Sequence, residues 1–589
     1  MRLGSWCWLS KPLFSLLIFI SIFPAAAQNL PLIASPSPAL GQSSAPGAGS
    51  GLANVPITAA APANSPGSFD EVIDRVVERE HLLMAQMRNL RPMVETYIQN
   101  LKPDASGNGV PVNDEYFLGR LEMNDRPNDI SFKEQPRSGK RGLRRLSALY
   151  SLRFHPLGFA QMIVPDNDLD KRHHHFNYVH REFLGAVRCL VIDVRPREDA
   201  PRGRFEGRIW VEDQDYSIVR FDGTYVRPKW NEFYLHFDSW RLNLRPGMWL
   251  PAYIYSEETA LASGVGRARV KAQTRLWGYD LNAVGSNYNE EFAQILIDPQ
   301  TARDHSDAAA DPVPVVAERL WERQGEDNVV ARLQTVGLLA PPGEVDKVLQ
   351  TVINNLLVTN DIDLQSEVRC RVLITAPLES FTIGHTIVLS RGLLDVLPDE
   401  ASLAFVLAHE LSHMGLGHYF DTKIAFNDRM FFPDQRTFRR LDFKRRPEDE
   451  AAADAKALEL LKNSPYKDKL SSAGLFLRAL QQRAPDLPNL IRPHLGDSLA
   501  GQSIRMAGLL AASPRLDEQS LDQIAALPLG GRIKLDPWTD QVELAKARPV
   551  TLALAREKMP FEVTPFFPYL TRLTNDHIDK EALLGSSSK

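Results

Sequence analysis

The chain has 589 residues and 66.1 kDa, enough for about three to four globular units. Hydrophobic residues make up 44% and charged residues 24%, which excludes a mainly disordered, collagen-like or polytopic membrane chain. A net charge of −5 excludes an overall basic field for nucleic acid, and three cysteines exclude a disulfide-stapled scaffold. Residues 1–27 read as a secretory signal. Arg2 and Lys11 precede the apolar run from Leu13 to Phe23, and Ala25-Ala26-Ala27 offers the cleavage site. That run is short of the roughly 20 residues a spanning helix needs, and no other stretch reaches about 18 apolar residues. Cys7 lies before the apolar run, so no lipid anchor is expected. The processed chain is expected to be soluble and extracytoplasmic, most simply periplasmic. Cys189 and Cys370 are expected as buried free thiols, with pairing as the alternative.

Residues 28–67 carry no charge, and 27 of these 40 are Ala, Pro, Ser or Gly, the composition of a flexible linker. A helical region is expected from 68 to 102, as one helix or two. Ser68 and Glu71 form a capping box, Val72, Val76, Leu83, Met87, Leu90, Val94 and Ile98 keep helical spacing, and Pro92 is the place for a kink. From about 115 to 285 short β-branched and aromatic runs alternate with turn residues, the texture of a meandering antiparallel sheet. Within it, Gly207 to Gly223, with Trp210-Val211-Glu212-Asp213-Gln214-Asp215-Tyr216, resembles the half-barrel of outer-membrane lipoprotein carriers. That resemblance implies a face able to accept an acyl chain or an extended polypeptide; a plain β accessory region is the alternative. His173-His174-His175 and the basic stretch Lys133 to Arg145 read as exposed loops or solvated faces. Residues 300–345 read as a connector with short helices, followed by a helix carrying Val345, Val348, Leu349, Val352, Ile353 and Leu356.

Chemistry concentrates between 409 and 454. In His409-Glu410-Leu411-Ser412-His413 the two imidazoles lie four residues apart, on one face of a helix, where both can bind one ion. Glu410, next to His409, can serve as general base toward an activated water. The preceding run, Leu403 to Ala408, is apolar all round, so these polar groups enter a buried helix and need partners. A third histidine at the metzincin spacing is missing, because Tyr419 stands there. Pro447-Glu448-Asp449-Glu450 opens a second helix on which Glu450 and Asp454 share a face. Glu450 can complete the ligand set, and Asp454 can orient a ligating histidine. Complementing the helix N-terminus is the bland alternative for these acids.

Ser390-Arg391-Gly392-Leu393-Leu394, Leu403 through His413, His418 and Glu450-Ala451-Ala452-Ala453-Asp454 together resemble the HtpX and CAAX-prenyl-protease family of zinc metallopeptidases, over about 345–510. The resemblance implies one zinc ion per chain, held by His409, His413 and Glu450, with Glu410 as catalytic base and Asp454 and His418 as supporting residues. It also puts the strand from Ile383 to Ser390 at the cleft edge, where Ile387, Val388 and Leu389 would take a substrate backbone by strand addition. The family's His-Pro pair is reversed here as Pro493-His494, with Arg505 more distant; His494 is expected to help stabilise the oxyanion. Many relatives span the membrane several times; this chain lacks those spans and is similar to the secreted, soluble branch.

The fold class expected is α+β: an N-terminal helix with an antiparallel β region over 68–300, a connector over 301–342, a mainly helical gluzincin-type region with a short edge sheet over 343–515, and a C-terminal extension over 516–589. The function expected is zinc-dependent endopeptidase, acting on misfolded or envelope proteins. The alternative is a periplasmic chaperone or lipoprotein-binding module with a latent or structural zinc site. The insert from Tyr419 to Arg446, rich in Phe and Arg, reads as a packed amphipathic hairpin or as a lid touching a membrane surface or an acidic partner.

Overall fold

A computed structural model describes residues 66–103, 109–123, 127–131, 162–166, 168–226, 235–263, 266–281, 314–362, 364, 367–418, 443–491, 495–499, 533–536, 541–544 and 561–573. The signal and linker readings, the basic stretch 133–145, most of the 419–446 insert and His494 lie outside them.

Helix α1 is Phe69–Leu90. Ser68 is extended and its hydroxyl accepts the Glu71 N–H, while the Glu71 carboxylate accepts the Gly67 N–H, so the first turn has side-chain partners for its donors. The helix stops at Arg91, which is left-handed at φ 34°, and Pro92 follows. The expectation of helix to residue 102 therefore fails. Pro92 cannot continue the hydrogen-bond ladder, and beyond it Val94 and Ile98 lie on strand β1, Met93–Pro103.

The other strands of the large sheet are β2 Gly109–Met123, β3 Pro127–Ser131, β4 His174–Leu184, β5 Val187–Pro196, β6 Phe205–Glu212, β7 Ile218–Tyr225, β8 Phe237–Arg245, β9 Met248–Ser263 and β10 Gly266–Trp277. Their order is β3-β2-β1-β10-β9-β8-β7-β6-β5-β4, every pair antiparallel. The meander expected from sequence is present, with β1 inserted between β2 and β10. Side chains alternate between two faces. Leu190, Ile192, Val194, Ile209, Phe221, Ile254 and Ala272 pack with Val72, Ile73, Val76, Leu83 and Met87 of α1. Val187, Cys189, Val191, Trp210, Val219, Trp240, Tyr253 and Tyr255 point the other way. Gly207 and Gly223 stand opposite each other in β6 and β7; a Cβ on Gly207 would sit 2.0 Å from the Asp222 carbonyl oxygen, so this crossing requires glycine. Two buried ion pairs fix the sheet: Arg241 of β8 with Glu80 of α1, and Arg220 with Asp238 at 2.9 Å. The histidine tract is a turn and strand start rather than a loop: His173 is half-buried in the turn, His174 starts β4, is buried and lies 3.2 Å from Asp166, and His175 is exposed.

The C-terminal region begins with one long helix rather than short ones, α2 Pro314–Thr335, then α3 Glu344–Thr359. In α3, Leu349, Val352, Ile353 and Leu356 are buried, but Val345 and Val348 are exposed. Strands β11 Arg369–Leu373, β12 Glu379–Ile383 and β13 Thr386–Ser390 follow, then helices α4 Arg391–Val396, α5 Glu400–Gly415, α6 Pro447–Lys462, α7 Leu470–Arg483 and α8 Pro488–Ile491, and strand β14 Asp497–Ser498. The small sheet runs β11-β13-β12-β14, with β11 and β13 parallel. The fold is thus α+β, with the large sheet first and a helical region carrying a small sheet after it. Both parts share one core. Glu95 of β1 accepts the Ala376 N–H at 2.6 Å, and Asp114 of β2 accepts the N–H groups of Asn489 and Leu490 at 3.0 and 2.8 Å. Residues 561–573 cross the second face of the large sheet without regular secondary structure. No described helix is long and apolar enough to cross a membrane. Cys189 and Cys370 are free and buried, and burial pushes both thiols up to about 12.

Candidate metal centre

Asp399 caps α5, its carboxylate accepting the Ser402 N–H at 2.8 Å. From Ala404 to Met414 every side chain of α5 is buried. The helix packs against α3, α6, α7 and β12. This apolar sheath holds His409 and His413 rigidly on one face, with their Nε2 atoms 3.0 Å apart.

Helix α6 starts at Pro447 and runs beside α5. One turn in, the Glu450 carboxylate meets both rings, at 3.2 Å from His413 Nε2 and 3.5 Å from His409 Nε2. Asp454, four residues on, lies 2.8 Å from His409 Nδ1. A proton held on Nδ1 by that carboxylate leaves the lone pair on Nε2. His418 Nδ1 lies 3.0 Å from His413 Nδ1, and its Nε2 lies 3.7 Å from Asp449. Burial is the main influence on both His413 and His418 and holds each below the ordinary histidine pKa of 6.5, with Glu450 opposing it at His413. The rings therefore favour the neutral form, the one that coordinates metals.

His409, His413 and Glu450 offer donor atoms that all lie within 4.8 Å of one another. Two imidazole nitrogens and a carboxylate oxygen converging between α5 and α6 suit a divalent ion of zinc's preference. A metal fits here on the chemistry of the donor set, independently of any resemblance.

Glu410 is fully buried beside this cluster, and one of its oxygens accepts the Ser380 hydroxyl proton at 2.6 Å. Ser380 lies on β12 and had no signature in the sequence: nothing in the short strand Glu-Ser-Phe-Thr-Ile marks this serine as a partner of Glu410. The edge-strand expectation needs correction here. Ile387, Val388 and Leu389 lie on β13, which is hydrogen-bonded to β11 on one side and β12 on the other, and all three are fully buried. No backbone edge remains there for a substrate. The chain turns at Gly384-His385, so the expected strand starts only at Thr386, Ile383 ends β12, and β12 is the strand that reaches Glu410 through Ser380. The outer side of β12 carries Asp497–Ser498 opposite Glu379 and Ser380, and the Arg445 guanidinium donates to the Thr382 carbonyl at 3.3 Å. Phe443 stacks on Phe381 with ring centroids 4.5 Å apart.

Residues 346–432 match the profile described as Peptidase family M48, a metallopeptidase family. The matched stretch contains His409, Glu410 and His413 and ends before Glu450. No match was found among curated proteins. Among solved structures, the chain is similar to a LolA superfamily protein from Nitrosomonas europaea, at 11% identity and TM-score 0.16, covering 35% of this chain and 90% of that one. A DUF1329 family protein from Desulfovibrio piger matches at 11% identity and TM-score 0.20, covering 37% and 95%. The MucA/MucB complex of Pseudomonas aeruginosa matches at 10% identity and TM-score 0.12, covering 36% and 94%.

Proposed function

We propose that this chain is a zinc-dependent endopeptidase that works outside the cytoplasm on polypeptide substrates. The observation that carries the reading is the convergence of His409, His413 and Glu450 beside a buried Glu410. In this reading the first three hold the ion, which supplies Lewis-acid polarisation of a peptide carbonyl and of water. Glu410 takes the proton from the attacking water and delivers it to the leaving amine nitrogen. Ser380 fixes one oxygen of that carboxylate and so sets the direction of proton transfer. Asp454 holds His409 in the tautomer that presents Nε2. The secretory signal read at residues 1–27 supports the extracytoplasmic setting.

The test is cleavage of an unfolded model protein by the purified full chain beside Glu410→Gln, with metal content measured on both. The variant is expected to keep one zinc per chain and lose at least about 100-fold in rate, the scale of a missing general base. Equal cleavage by both proteins refutes the assignment of Glu410, and zinc-free protein with undiminished activity refutes the metal.

A further inference from the structure

Residues 561–573 belong to no described strand or helix, yet they are held along their length across β1, β10, β9, β8 and the turns at the β5 end. Most of the contacts are to backbone. Gln99, fully buried, donates to the Phe561 carbonyl at 2.6 Å and accepts the Val563 N–H at 2.8 Å. The Tyr253 hydroxyl donates to the Thr564 carbonyl at 3.2 Å, the Ala186 N–H donates to the Leu570 carbonyl at 2.8 Å, and Asn243 accepts the Leu573 N–H at 2.6 Å. Gly185 permits the close pass, since a Cβ there would lie 2.5 Å from the Leu570 nitrogen. Pro565 and Pro568 favour an extended backbone and remove two donors, which suits a docked strap better than an added strand. Side chains add a pattern. Val563 and Leu570 are buried, Phe567 meets Trp240 edge-on with the Arg220 guanidinium over its ring, and Phe566 meets Tyr253. The ends are charged in opposite senses: Glu562 pairs with Lys271, and Arg572 pairs with Glu212 and Asp215.

We propose that this face of the ten-stranded sheet is a peptide-binding groove, filled in cis by residues 561–573, and that another polypeptide of the same chemistry can replace them. That chemistry is an extended, proline-interrupted segment with aromatic residues between an acidic and a basic end. The inference stands apart from the peptidase reading. Groups that grip the strap keep a second partner within the sheet. Gln99 also donates to the Tyr97 hydroxyl, Lys271 lies 3.6 Å from Glu257, Glu212 accepts the N–H groups of Gln214, Asp215 and Ser217, and Asn243 donates to the carbonyls of Arg245 and Met248. Vacating the groove leaves Gln99, Lys271 and Asn243 with partners inside the sheet, while the buried Glu212 loses Arg572 and keeps only its backbone N–H donors.

A fluorescent peptide with the sequence of residues 561–573 tests this on the full chain. Wild type is compared with Phe567→Ala/Leu570→Ala, which loosens the tethered copy. A tethered competitor acts at millimolar effective concentration, so the doubly substituted chain should bind the free peptide at least about 10-fold more tightly than wild type. A peptide carrying Glu562→Lys and Arg572→Glu should lose about 10-fold by reversing both ion pairs. Absence of saturable binding to the doubly substituted chain, or equal binding of the charge-reversed peptide, overturns the proposal. Hydrogen exchange on wild type gives a reading that needs no variant. The amides of Val563, Leu573 and Ala186 should exchange through a smaller opening than those of Leu190 and Val211 in the β5–β6 ladder. Exchange of both sets only on global unfolding makes the strap part of the core and overturns the proposal.

Discussion

Asp454 touches His409 through the nitrogen that faces away from Glu450, so its effect on the proposed metal site is indirect. Replacement by Asn keeps the shape but removes the charge that favours a proton on Nδ1. Zinc affinity of Asp454→Asn should fall by about 10- to 100-fold, measured by competition with a chromogenic chelator, with the fold unchanged by circular dichroism. An unaltered affinity would leave Asp454 as a helix-surface acid. At this scale the sequence was readable where residues obey a helical spacing. His409 with His413 and Glu450 with Asp454 are both four apart, and the buried run before His409 signalled that the imidazoles enter a core. Ser380 was not readable, because its partner Glu410 is distant in sequence and only the fold joins them. His413 gives a further lesson. Its depressed pKa comes chiefly from burial, which the apolar flanks of α5 foreshadow.

Elements were readable where the pattern had one solution. The antiparallel meander followed from alternation and turn residues, and α6 from Pro447 and the acids behind it. The errors came where one pattern fits two structures. Val94 and Ile98 satisfy a helical spacing and an alternating strand equally well, and Pro92 decided between them. The run Ile383–Ser390 looked like one strand, but Gly384 adopts φ 55° and turns the chain back on itself. What holds α1 on the sheet is also invisible locally, because Glu80 and Arg241 are far apart in sequence and each is buried. Glu80→Ala should cost about 3–5 kcal/mol in urea denaturation, since it leaves a buried guanidinium without its carboxylate. The double variant Glu80→Leu/Arg241→Met should recover most of that loss. A loss under about 1 kcal/mol for the single variant would place the pair among solvent-screened bridges.

The whole molecule ties the large sheet to the helical region through Glu95, Asp114 and a continuous apolar core. Nothing in the sequence marked this union; a composition change near residue 300 reads as a boundary whether or not the flanking parts fuse. With the core shared, the two parts should unfold together. Tryptophan fluorescence, to which Trp210, Trp240, Trp249 and Trp277 of the sheet contribute, and zinc release from the helical region should fall at the same urea concentration. Separate midpoints would mean that the shared core does not couple them.

The insertion of β1 between β2 and β10 has a kinetic consequence. The β1–β10 ladder runs from Leu101–Arg269 to Met93–Trp277, so a chain synthesised from its N-terminus cannot complete the second neighbour of β1 until residue 277 has emerged. Contacts this distant in sequence make closure slow. Until residue 573 is also available, the aromatic face of Trp240 and Tyr253 lacks its cover. Chains ending before residue 561 should therefore aggregate more on refolding than the full chain, measured by light scattering after dilution from urea.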